Sequence, residues 1–444
     1  MVKCESLTRI SLFSLLTSLF LSQGLAAGLD TLRLRPNERI LIIAPHPDDE
    51  VLACGGLIQQ ALALGDSVWV VYVTAGDGSW PAAWRVTGNM FPSPGDYLEL
   101  GRARIEEAKA GAKLLGLDTT HLVFLGYPDA DLDRFVFERH SDEVPVKSSH
   151  TGVNHNPYGS AGADYTGGAI VDDLYQQIVW HHADRVFFPD PLDAHPDHWA
   201  TAATLPSIRG LWRRIEIRQF PTVYYYLIHR SQYPSLNRGD ELSPPADLTG
   251  PGHHWYTLPI AVQETTRKRA ALECHWSQFT DLGPDLTAYV ARNELFDLME
   301  SDSGTARGDA PAVGFLPGLR IDSLTASLTS WKPSVFKLYL PGTRTSGFDY
   351  HLYLWSLGPY QVSRVVGVRG DLSDEEKLTA RALSTDTLAT IAEPLSVPSD
   401  SGWTVYLPSH LFGTEDTVFF TADVRWKGQL LNHTGVGWVV PNRH

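Results

Sequence analysis

Two short clusters of His and acidic residues carry side chains that can bind a metal ion or move a proton. The first cluster, His46-Pro-Asp-Asp-Glu50, places an imidazole and three carboxylates in one turn of chain. The second cluster, His195-Pro-Asp-His198, repeats the same residue types far downstream. Hydrolytic zinc sites commonly use three protein ligands, often two His and one carboxylate, and keep one position for water. We therefore interpret the two clusters as halves of one metal site.

His46, Asp49 and His198 are the ligands that zinc chemistry favours. His46 and Asp49 are close in the sequence at the start of a predicted helix, so both can face one crevice. Pro45 and Pro47 restrict the backbone on either side of His46, which limits the entropy lost on metal binding. His198 can supply the third ligand if the strand before it adjoins the strand before His46. The expected ion is Zn2+, and another divalent transition metal is also compatible.

The remaining polar residues of the clusters fit the other tasks of a hydrolase, which needs a base and an acid. Asp48, beside a ligand, is the natural base. His195 can be the acid, because an imidazole titrates close to neutral pH. Asp197 can hydrogen-bond an imidazole nitrogen and fix its tautomer. Glu50 fits the first turn of the helix, where the helix dipole favours a carboxylate.

A simpler interpretation exists for each cluster taken alone. His-Pro-Asp is commonly just a turn followed by an Asp that caps a helix. The combination is more specific, because each cluster follows a predicted strand and opens a predicted helix.

Alternating strand and helix patterns position the two clusters. Strand patterns cover Arg39–Ala44, Ser67–Thr74, His121–Leu125, Arg185–Pro189 and Thr222–His229. Helical patterns cover Glu50–Leu64, Leu98–Leu115, Ala169–His182, Asp197–Leu205 and Val262–Phe279. This alternation predicts an α/β fold with a mostly parallel sheet and helices on both faces. Such sheets bind ligands at the carboxyl ends of their strands, where both clusters fall.

The length of 444 residues predicts more than one domain. Ser301–Pro311 has the composition of a linker, and short alternating segments separated by turn residues follow it. They predict a smaller all-β sandwich over 311–444, after a first domain over 28–310. The aromatic residues of the second domain either form a polysaccharide platform or, more commonly, fill the core; they include Trp355, Tyr360 and Trp403.

Two long segments, Gly76–Asp96 and Asp129–Gly168, are predicted to be irregular insertions. Both are rich in aromatic residues, and the second also contains His140, His150 and His155. Long loops in a compact domain are usually functional or disordered. These two either wall a substrate site or pack on themselves.

The N-terminal segment has the pattern of an export signal. Lys3 and Arg9 precede an apolar core from Ile10 to Leu21, and small residues follow. This predicts a signal peptide over 1–27, cleaved after Ala26 or Ala27, and a periplasmic or extracellular protein without a membrane span. An uncleaved anchor or a buried first helix is the alternative.

Composition narrows the partners and leaves the cysteines open. The formal net charge of −15 disfavours nucleic acid or an anionic membrane as a partner held by charge. Cys54 and Cys274 either form a disulfide, which export would allow, or remain small buried hydrophobic residues.

The segment Ala44–Gly56 resembles the signature of the LmbE-like, or PIG-L, family of zinc-dependent N-acetylglucosaminyl deacetylases. His195-Pro-Asp-His198 resembles the second motif of that family. Two weaker matches are Arg104–Glu107, which opens a helical pattern ending at Leu114-Leu-Gly116, and Lys268 followed by His275-Trp-Ser-Gln278. The resemblance covers about residues 38–280 and leaves the predicted sandwich outside it.

The resemblance implies a Rossmann-like domain that hydrolyses the N-acetyl amide of an amino sugar or glycoconjugate. It implies the same ligands that zinc chemistry favours, with Asp48 as general base. His195, with Asp197 as its neighbour, matches the residue that stabilises the oxyanion or protonates the leaving amine. Arg104 matches a residue near the substrate, although a surface Arg on a helix is the plainer interpretation.

Two other functions stay open at this point. The substrate can be a different N-acyl compound, since the long insertions and the second domain depart from shorter family members. The protein can also be a metal-dependent carbohydrate-binding protein without turnover.

Overall fold

The computed structural model describes residues 29–133, 145–159, 164–215, 218–230, 233–234, 241–249 and 253–298, and beyond them a set of strands. The predicted signal peptide over 1–27 lies outside the described residues, so export stays a prediction. The predicted domain boundary near residue 310 also lies outside them. None of the helices in the described part combines the length and the hydropathy that a membrane crossing requires.

An eight-stranded sheet organises the first part of the chain, with the strand order β1-β7-β8-β6-β5-β2-β3-β4. Its strands are β1 Asp30–Thr31, β2 Arg39–Ala44, β3 Ser67–Thr74, β4 Leu122–Tyr127, β5 Arg185–Pro189, β6 Thr222–Tyr226, β7 Trp255–Pro259 and β8 Asn293–Asp297. Strand β8 pairs antiparallel with β6 and β7, and the other neighbours pair in parallel. The predicted mostly parallel sheet is confirmed.

The pairing of β2 with β5 decides how the two sequence clusters meet. The two strands run parallel, with Ile40 opposite Arg185 and Ile42 opposite Phe187. Parallel neighbours end at the same edge of a sheet, so the turns after β2 and β5 lie side by side. This adjacency is the condition that the sequence left open for His198.

Eight helices are described around this sheet. They are α1 Asp49–Ala63, α2 Trp80–Thr87, α3 Pro94–Leu115, α4 Gly167–Trp180, α5 Pro196–Ala203, α6 Leu205–Ile215, α7 Val262–Glu273 and α8 Trp276–Leu286. Single 3-10 turns occur at Thr119–His121, Ala246–Leu248 and Thr287–Tyr289.

Two predictions about helices were wrong. The segment Gly76–Asp96 is not irregular, because it contains α2 and the start of α3. Helix α2 begins where the Ser79 side chain accepts a hydrogen bond from the Ala82 amide, and it ends at the left-handed Gly88, with φ 75°. The predicted helix Val262–Phe279 is two helices, because the helical conformation is interrupted between α7 and α8 at Cys274-His275.

The helices cover both faces of the sheet, as predicted. Successive side chains of β2 point to opposite faces. Leu41 and Ile43 join a buried apolar cluster with residues of α4, α5 and α6. Ile40 and Ile42 join a second cluster with residues of α1, α3 and α7. A β2 strand buried on both sides explains its uninterrupted apolar sequence.

A buried ion pair joins α1, α7 and β8. The Lys268 ammonium lies 2.7 Å from Glu294 Oε1 and also donates to the Leu52 carbonyl at 2.8 Å. Glu294 in turn accepts hydrogen bonds from the amides of Gly56 and Leu57 at 2.7 and 2.9 Å. Lys268, one of the weaker motif matches, is therefore placed in the helix packing of the domain.

Breaking this pair is expected to destabilise the fold strongly. Lys268→Met leaves the Glu294 carboxylate buried and uncompensated, which costs about 3–5 kcal/mol. Lys109→Met is the matched control, because Lys109 makes an equally short bond of 2.7 Å to Glu106, but on the exposed face of α3. That change should alter stability by about 0–1 kcal/mol. Urea unfolding measures both; equal midpoints would contradict the assignment.

Beyond residue 298, the structure describes eleven strands. They are β9 Thr305–Arg307, β10 Ser323–Ser327, β11 Ser334–Tyr339, β12 Asp349–Leu357, β13 Arg364–Arg369, β14 Thr379–Ala382, β15 Leu395–Ser399, β16 Gly402–Leu407, β17 Thr417–Trp426, β18 Gln429–His433 and β19 Gly437–Val439. They form two antiparallel sheets, of five and six strands. The elements described beyond residue 298 are strands, and the all-β sandwich over 311–444 stays a prediction. Tyr360 and the side chains of Trp355 and Trp403 lie outside the described residues.

Candidate metal centre

The turn between β2 and α1 holds the first cluster at the sheet edge. The Pro45 carbonyl accepts hydrogen bonds from the amide and the hydroxyl of Thr74 on β3, both at 2.9 Å. Asp49 begins α1, and its Oδ2 accepts the His46 amide at 2.7 Å. Asp48 caps the helix with φ 142°, an uncommon conformation for a residue other than Gly. The turn is thus fixed before any ligand binds.

His46, Asp49 and His198 place three ligand atoms in a small triangle. Asp49 Oδ2 lies 3.4 Å from His46 Nδ1 and 3.2 Å from His198 Nε2, and the two nitrogens are 3.3 Å apart. A tetrahedral zinc ion with bonds of about 2.0–2.1 Å separates its ligand atoms by about 3.3–3.4 Å. The triangle therefore has the size of one face of a zinc tetrahedron.

Carboxylates hold the outer nitrogen of His46. Its Nε2 lies 3.1 Å from Asp129 Oδ1 and 3.1 Å from Asp197 Oδ2. Asp197 is itself fixed by the amides of Ala130 and Leu132, at 2.7 and 3.0 Å. The sequence predicted that Asp197 hydrogen-bonds an imidazole nitrogen, and in the structure its carboxylate contacts that of His46, while its amide donates to His195 Nδ1. Asp197 thus sets the tautomer of a ligand candidate, as carboxylates commonly do in zinc sites.

A third carboxylate faces the other ring nitrogen of His198. Asp193 Oδ2 lies 3.2 Å from His198 Nδ1. Asp193 also accepts the amides of His195, Ile228 and His229, at 2.9, 3.0 and 3.0 Å. Both candidate imidazole ligands therefore turn one nitrogen to the triangle and the other to a fixed carboxylate.

The electrostatics of this site favour a cation. Burial lowers the pKa of His46, but Asp129, Asp197 and Asp49 outweigh it and hold that pKa well above its usual range. Burial also opposes the charge on His198, yet Asp49 and Asp193 raise its pKa to about 9. Two imidazoles that attract protons this strongly lie in a negative field. Donor types, triangle size and field together fit a divalent zinc-like ion held by His46, Asp49 and His198.

Asp48 lies beside the triangle in a buried position, paired with Arg104. Its Oδ2 is 3.2 Å from an Arg104 guanidinium nitrogen, which also donates to the Pro47 carbonyl at 2.9 Å. Burial raises the pKa of Asp48 to about 7, against the lowering effect of Arg104. A carboxylate with that pKa takes up a proton readily near neutral pH, as a general base must.

Arg104 is not the surface residue that the plainer interpretation expected. It lies in the middle of α3 and is buried, and it also donates to the Gly76 carbonyl at 3.0 Å. Its described hydrogen bonds go to the loop after β3 and to the turn before α1. A contact between Arg104 and substrate stays a prediction.

Removing the Arg104 charge is expected to destabilise the protein. Arg104→Met leaves Asp48 buried without its counter-charge, and the loss should be about 3–5 kcal/mol. Arg102→Met, on the exposed side of the same helix, is the control and should change stability by no more than about 0.5 kcal/mol. Thermal and urea unfolding test this prediction. If Arg104→Met left the stability unchanged, Asp48 would need no charge partner.

His195 is positioned as a neutral hydrogen-bond donor. It caps α5, and its Nδ1 accepts the Asp197 amide at 3.2 Å, so the ring proton is on Nε2. Burial, together with the nearby charge of His46, lowers the pKa of His195 to about 4. The sequence expected titration near neutrality, and the difference arises from burial. A neutral ring with Nε2–H can donate to a developing oxyanion.

Three residues of the site were missed from the sequence: Asp129, Asp193 and His229. His229 follows β6, and one of its ring nitrogens lies within 4.8 Å of the three triangle atoms. Its ring packs edge-on against His198, with centroids 4.6 Å apart. All three residues follow the carboxyl ends of parallel strands, β4, β5 and β6. A search of every such strand end for His and acidic residues would have found them.

The two long insertions contribute to the surroundings of the site. Tyr158, from the second insertion, donates to Asp77 Oδ2 at 2.5 Å, and the Asp129 amide lies 3.3 Å from Asp77 Oδ1. Trp80 and Trp84 on α2 remain 45% and 41% exposed, with ring centroids 5.7 Å apart. One insertion therefore packs partly on the other, while these two Trp rings stay open to solvent; His140 lies outside the described residues.

Ser277 and Glu107, from the two weaker motifs, join helices, and the cysteines are not paired. The hydroxyl of Ser277 donates to Glu107 at 2.7 Å, which ties α8 to α3. Cys54 is buried and Cys274 partly buried, and both are free thiols.

Comparison with known proteins places the metal-centre domain in a family. Residues 41–208, which include both clusters, match the model of the PIG-L family, described as GlcNAc-PI de-N-acetylase. This part of the chain is a PIG-L family domain, as its motifs predicted.

Individual relatives carry the names of sugar deacetylases. A 1D-myo-inositol 2-acetamido-2-deoxy-alpha-D-glucopyranoside deacetylase of Mycobacterium sp. (strain KMS) is 30% identical over 44% of this chain; the match spans about half, 56%, of that relative. The enzyme of that name from Geodermatophilus obscurus is 24% identical over 62% of this chain and 96% of its own length. Among solved structures, N,N'-diacetylchitobiose deacetylase from Pyrococcus horikoshii matches with a TM-score of 0.38 and 20% identity, over 65% of this chain and 94% of its own.

Proposed function

We propose that this protein is a zinc-dependent deacetylase that hydrolyses the N-acetyl amide of an amino sugar or glycoconjugate. One observation carries the proposal: the ligand triangle of His46, Asp49 and His198 is accompanied by a buried, charge-paired carboxylate at Asp48. Binding a metal requires the triangle alone, and binding a sugar beside it requires no proton transfer. A base held beside it is useful only if a proton is moved.

The residues divide the work of amide hydrolysis. His46, Asp49 and His198 would hold a zinc ion, which would supply the Lewis acidity that polarises a carbonyl and acidifies water. Asp48 takes the proton of the water that attacks the amide carbon. His195 donates its Nε2–H to the carbonyl oxygen as negative charge develops there. Asp48 then returns the proton to the nitrogen as the C–N bond breaks, so acetate and a free amine are released.

The substrate class is supported by the family and by the surface near the site. The relatives are named for an N-acetylglucosamine-type sugar linked to inositol. The Gly78 amide donates to Asp129 Oδ2 at 2.7 Å, and Asp129 contacts His46, so α2, which begins two residues after Gly78, starts close to the metal centre. The exposed Trp80 and Trp84 rings on this helix suit the apolar face of a pyranose.

A panel of N-acetylated compounds tests the proposal. Zinc-loaded protein should release acetate and primary amine in equal amounts from N-acetylglucosaminyl-inositol or N,N'-diacetylchitobiose, and chelation should stop both until zinc is restored. Turnover of N-acylated amines without a sugar would favour a different amidase. Calorimetric sugar binding that requires zinc and yields no acetate would identify a binding protein instead.

A further inference from the structure

A second group of buried polar side chains adjoins Asp48 and takes no part in the ligand triangle. Glu50 lies in the first turn of α1, Tyr72 on β3, and His275 between α7 and α8; none is more than 1% exposed. Glu50 Oε1, the Tyr72 hydroxyl and both ring nitrogens of His275 have no hydrogen-bond partner among the described residues. Such a concentration of unpaired buried atoms requires an explanation.

The unpaired atoms of these three residues lie close to one another. His275 Nε2 is 3.8 Å from Glu50 Oε1, which is near but beyond hydrogen-bond length. Tyr72 lies opposite Ala44 at the end of β2 and belongs to the same buried cluster as Val51 and Leu52, the two residues that follow Glu50. The three side chains therefore border one small polar space.

The chemistry of this space selects its occupant. A carboxylate accepts hydrogen bonds, whereas a hydroxyl and a neutral imidazole can both accept and donate. Buried water typically makes about 2–4 hydrogen bonds to groups of these kinds. An apolar occupant would leave every one of these atoms unpaired. Water is the ligand that matches.

Glu50 also links this space to the proposed base. Its second oxygen, Oε2, accepts the Asp48 amide at 3.1 Å. The Asp48 carbonyl accepts the amides of Val51 and Leu52, both at 3.0 Å. These bonds hold Asp48 in its uncommon backbone conformation. Among the described residues, Glu50 is the only one whose side chain accepts a hydrogen bond from the Asp48 amide. Strained conformations persist only where neighbours fix them in this way.

We propose that Glu50, Tyr72 and His275 bind a buried water molecule, and that Glu50, oriented by this water, is a positioning residue for Asp48. The effect on catalysis rests on the proposed function, whereas the water site does not.

The water site is tested by crystallography and by one conservative substitution. A high-resolution crystal structure of the whole protein should show a density peak within hydrogen-bond distance of Glu50 Oε1, the Tyr72 hydroxyl and His275 Nε2. Tyr72→Phe removes one water partner and should lower the Tm by about 2–4 °C. If the space is dry, the same change removes an unpaired hydroxyl and the Tm stays equal or rises. Tyr97→Phe, at a partly exposed position, is the control.

The positioning role is tested by two substitutions of Glu50. Glu50→Ala should lower kcat about 10- to 100-fold, with KM and zinc content nearly unchanged. Glu50→Gln keeps an acceptor for the Asp48 amide and should restore most of the loss. A wild-type kcat for Glu50→Ala, or no recovery with Gln, would overturn this role.

A failure of the proposed deacetylase function can be told apart from a failure of the water site or of the positioning role. If the protein has no deacetylase activity, the density peak and the Tm of Tyr72→Phe still decide the water site. The crystal structure of Glu50→Ala then shows whether Asp48 leaves its present backbone conformation; an unchanged Asp48 would overturn the positioning role without any kinetics.

Discussion

Asp48→Asn should reduce deacetylase kcat about 10²- to 10⁴-fold while the protein keeps its zinc, because the amide of Asn cannot take a proton from water. The substitution retains the shape of the side chain and an oxygen that can accept from Arg104. Asp48 contributes no atom to the ligand triangle, so zinc content should remain at the wild-type level. Steady-state kinetics and elemental analysis on one preparation measure both quantities.

The control for this experiment makes the same carboxylate-to-amide change at a residue outside the site. Glu106→Gln changes an exposed side chain on α3 and should leave kcat, zinc content and Tm unchanged. Near-normal turnover by Asp48→Asn would remove the base assignment. Loss of turnover together with loss of zinc would instead place Asp48 among the ligands.

His198→Ala should weaken zinc binding by more than about 100-fold and abolish turnover, because it removes a corner of the triangle. Asp193→Asn should produce a smaller effect of about 10- to 100-fold, since it changes only the carboxylate that faces the outer nitrogen of His198. His155→Ala, at an exposed imidazole, should leave zinc affinity unchanged. Competition with a chromogenic chelator ranks the three variants.

The order within this series is the informative result. If Asp193→Asn weakened zinc binding as much as His198→Ala, the carboxylate would be a direct ligand. If His198→Ala retained zinc at wild-type affinity, the triangle would not be the metal site. The zinc-dependent rise of Tm gives an independent measure, because a ligand stabilises only the protein that binds it.

Much of the fold could be predicted, because the strands are buried on both faces and carry an uninterrupted apolar pattern. The limits of β2, β3 and β5 agree with the prediction residue by residue. Helix α2 was missed because Pro81, Gly78 and Gly88 are typical of a loop, although they flank or open a short helix. The break at His275 was missed because the apolar pattern continues across it from α7 into α8.

The site was predictable only where residues are close in the sequence. His46, Asp48 and Asp49 belong to one motif, and their spacing already indicates a ligand pair and a base. Asp129 and Asp193 carry no local motif; they became visible when the sheet placed the end of β5 beside β2 and the end of β4 one strand beyond β3. The partial burial of His195, which lowers its pKa, and the full burial of Arg104 both depend on tertiary packing, and the sequence showed neither.

The central claim is that two distant sequence clusters hold one metal ion, and anomalous diffraction at the zinc edge tests it most directly. A crystal of the whole protein grown with zinc should give one strong peak at the triangle, about 2.0–2.2 Å from His46 Nδ1, Asp49 Oδ2 and His198 Nε2. A triangle without a peak, or a peak bound instead by His195 and His229, would contradict the account.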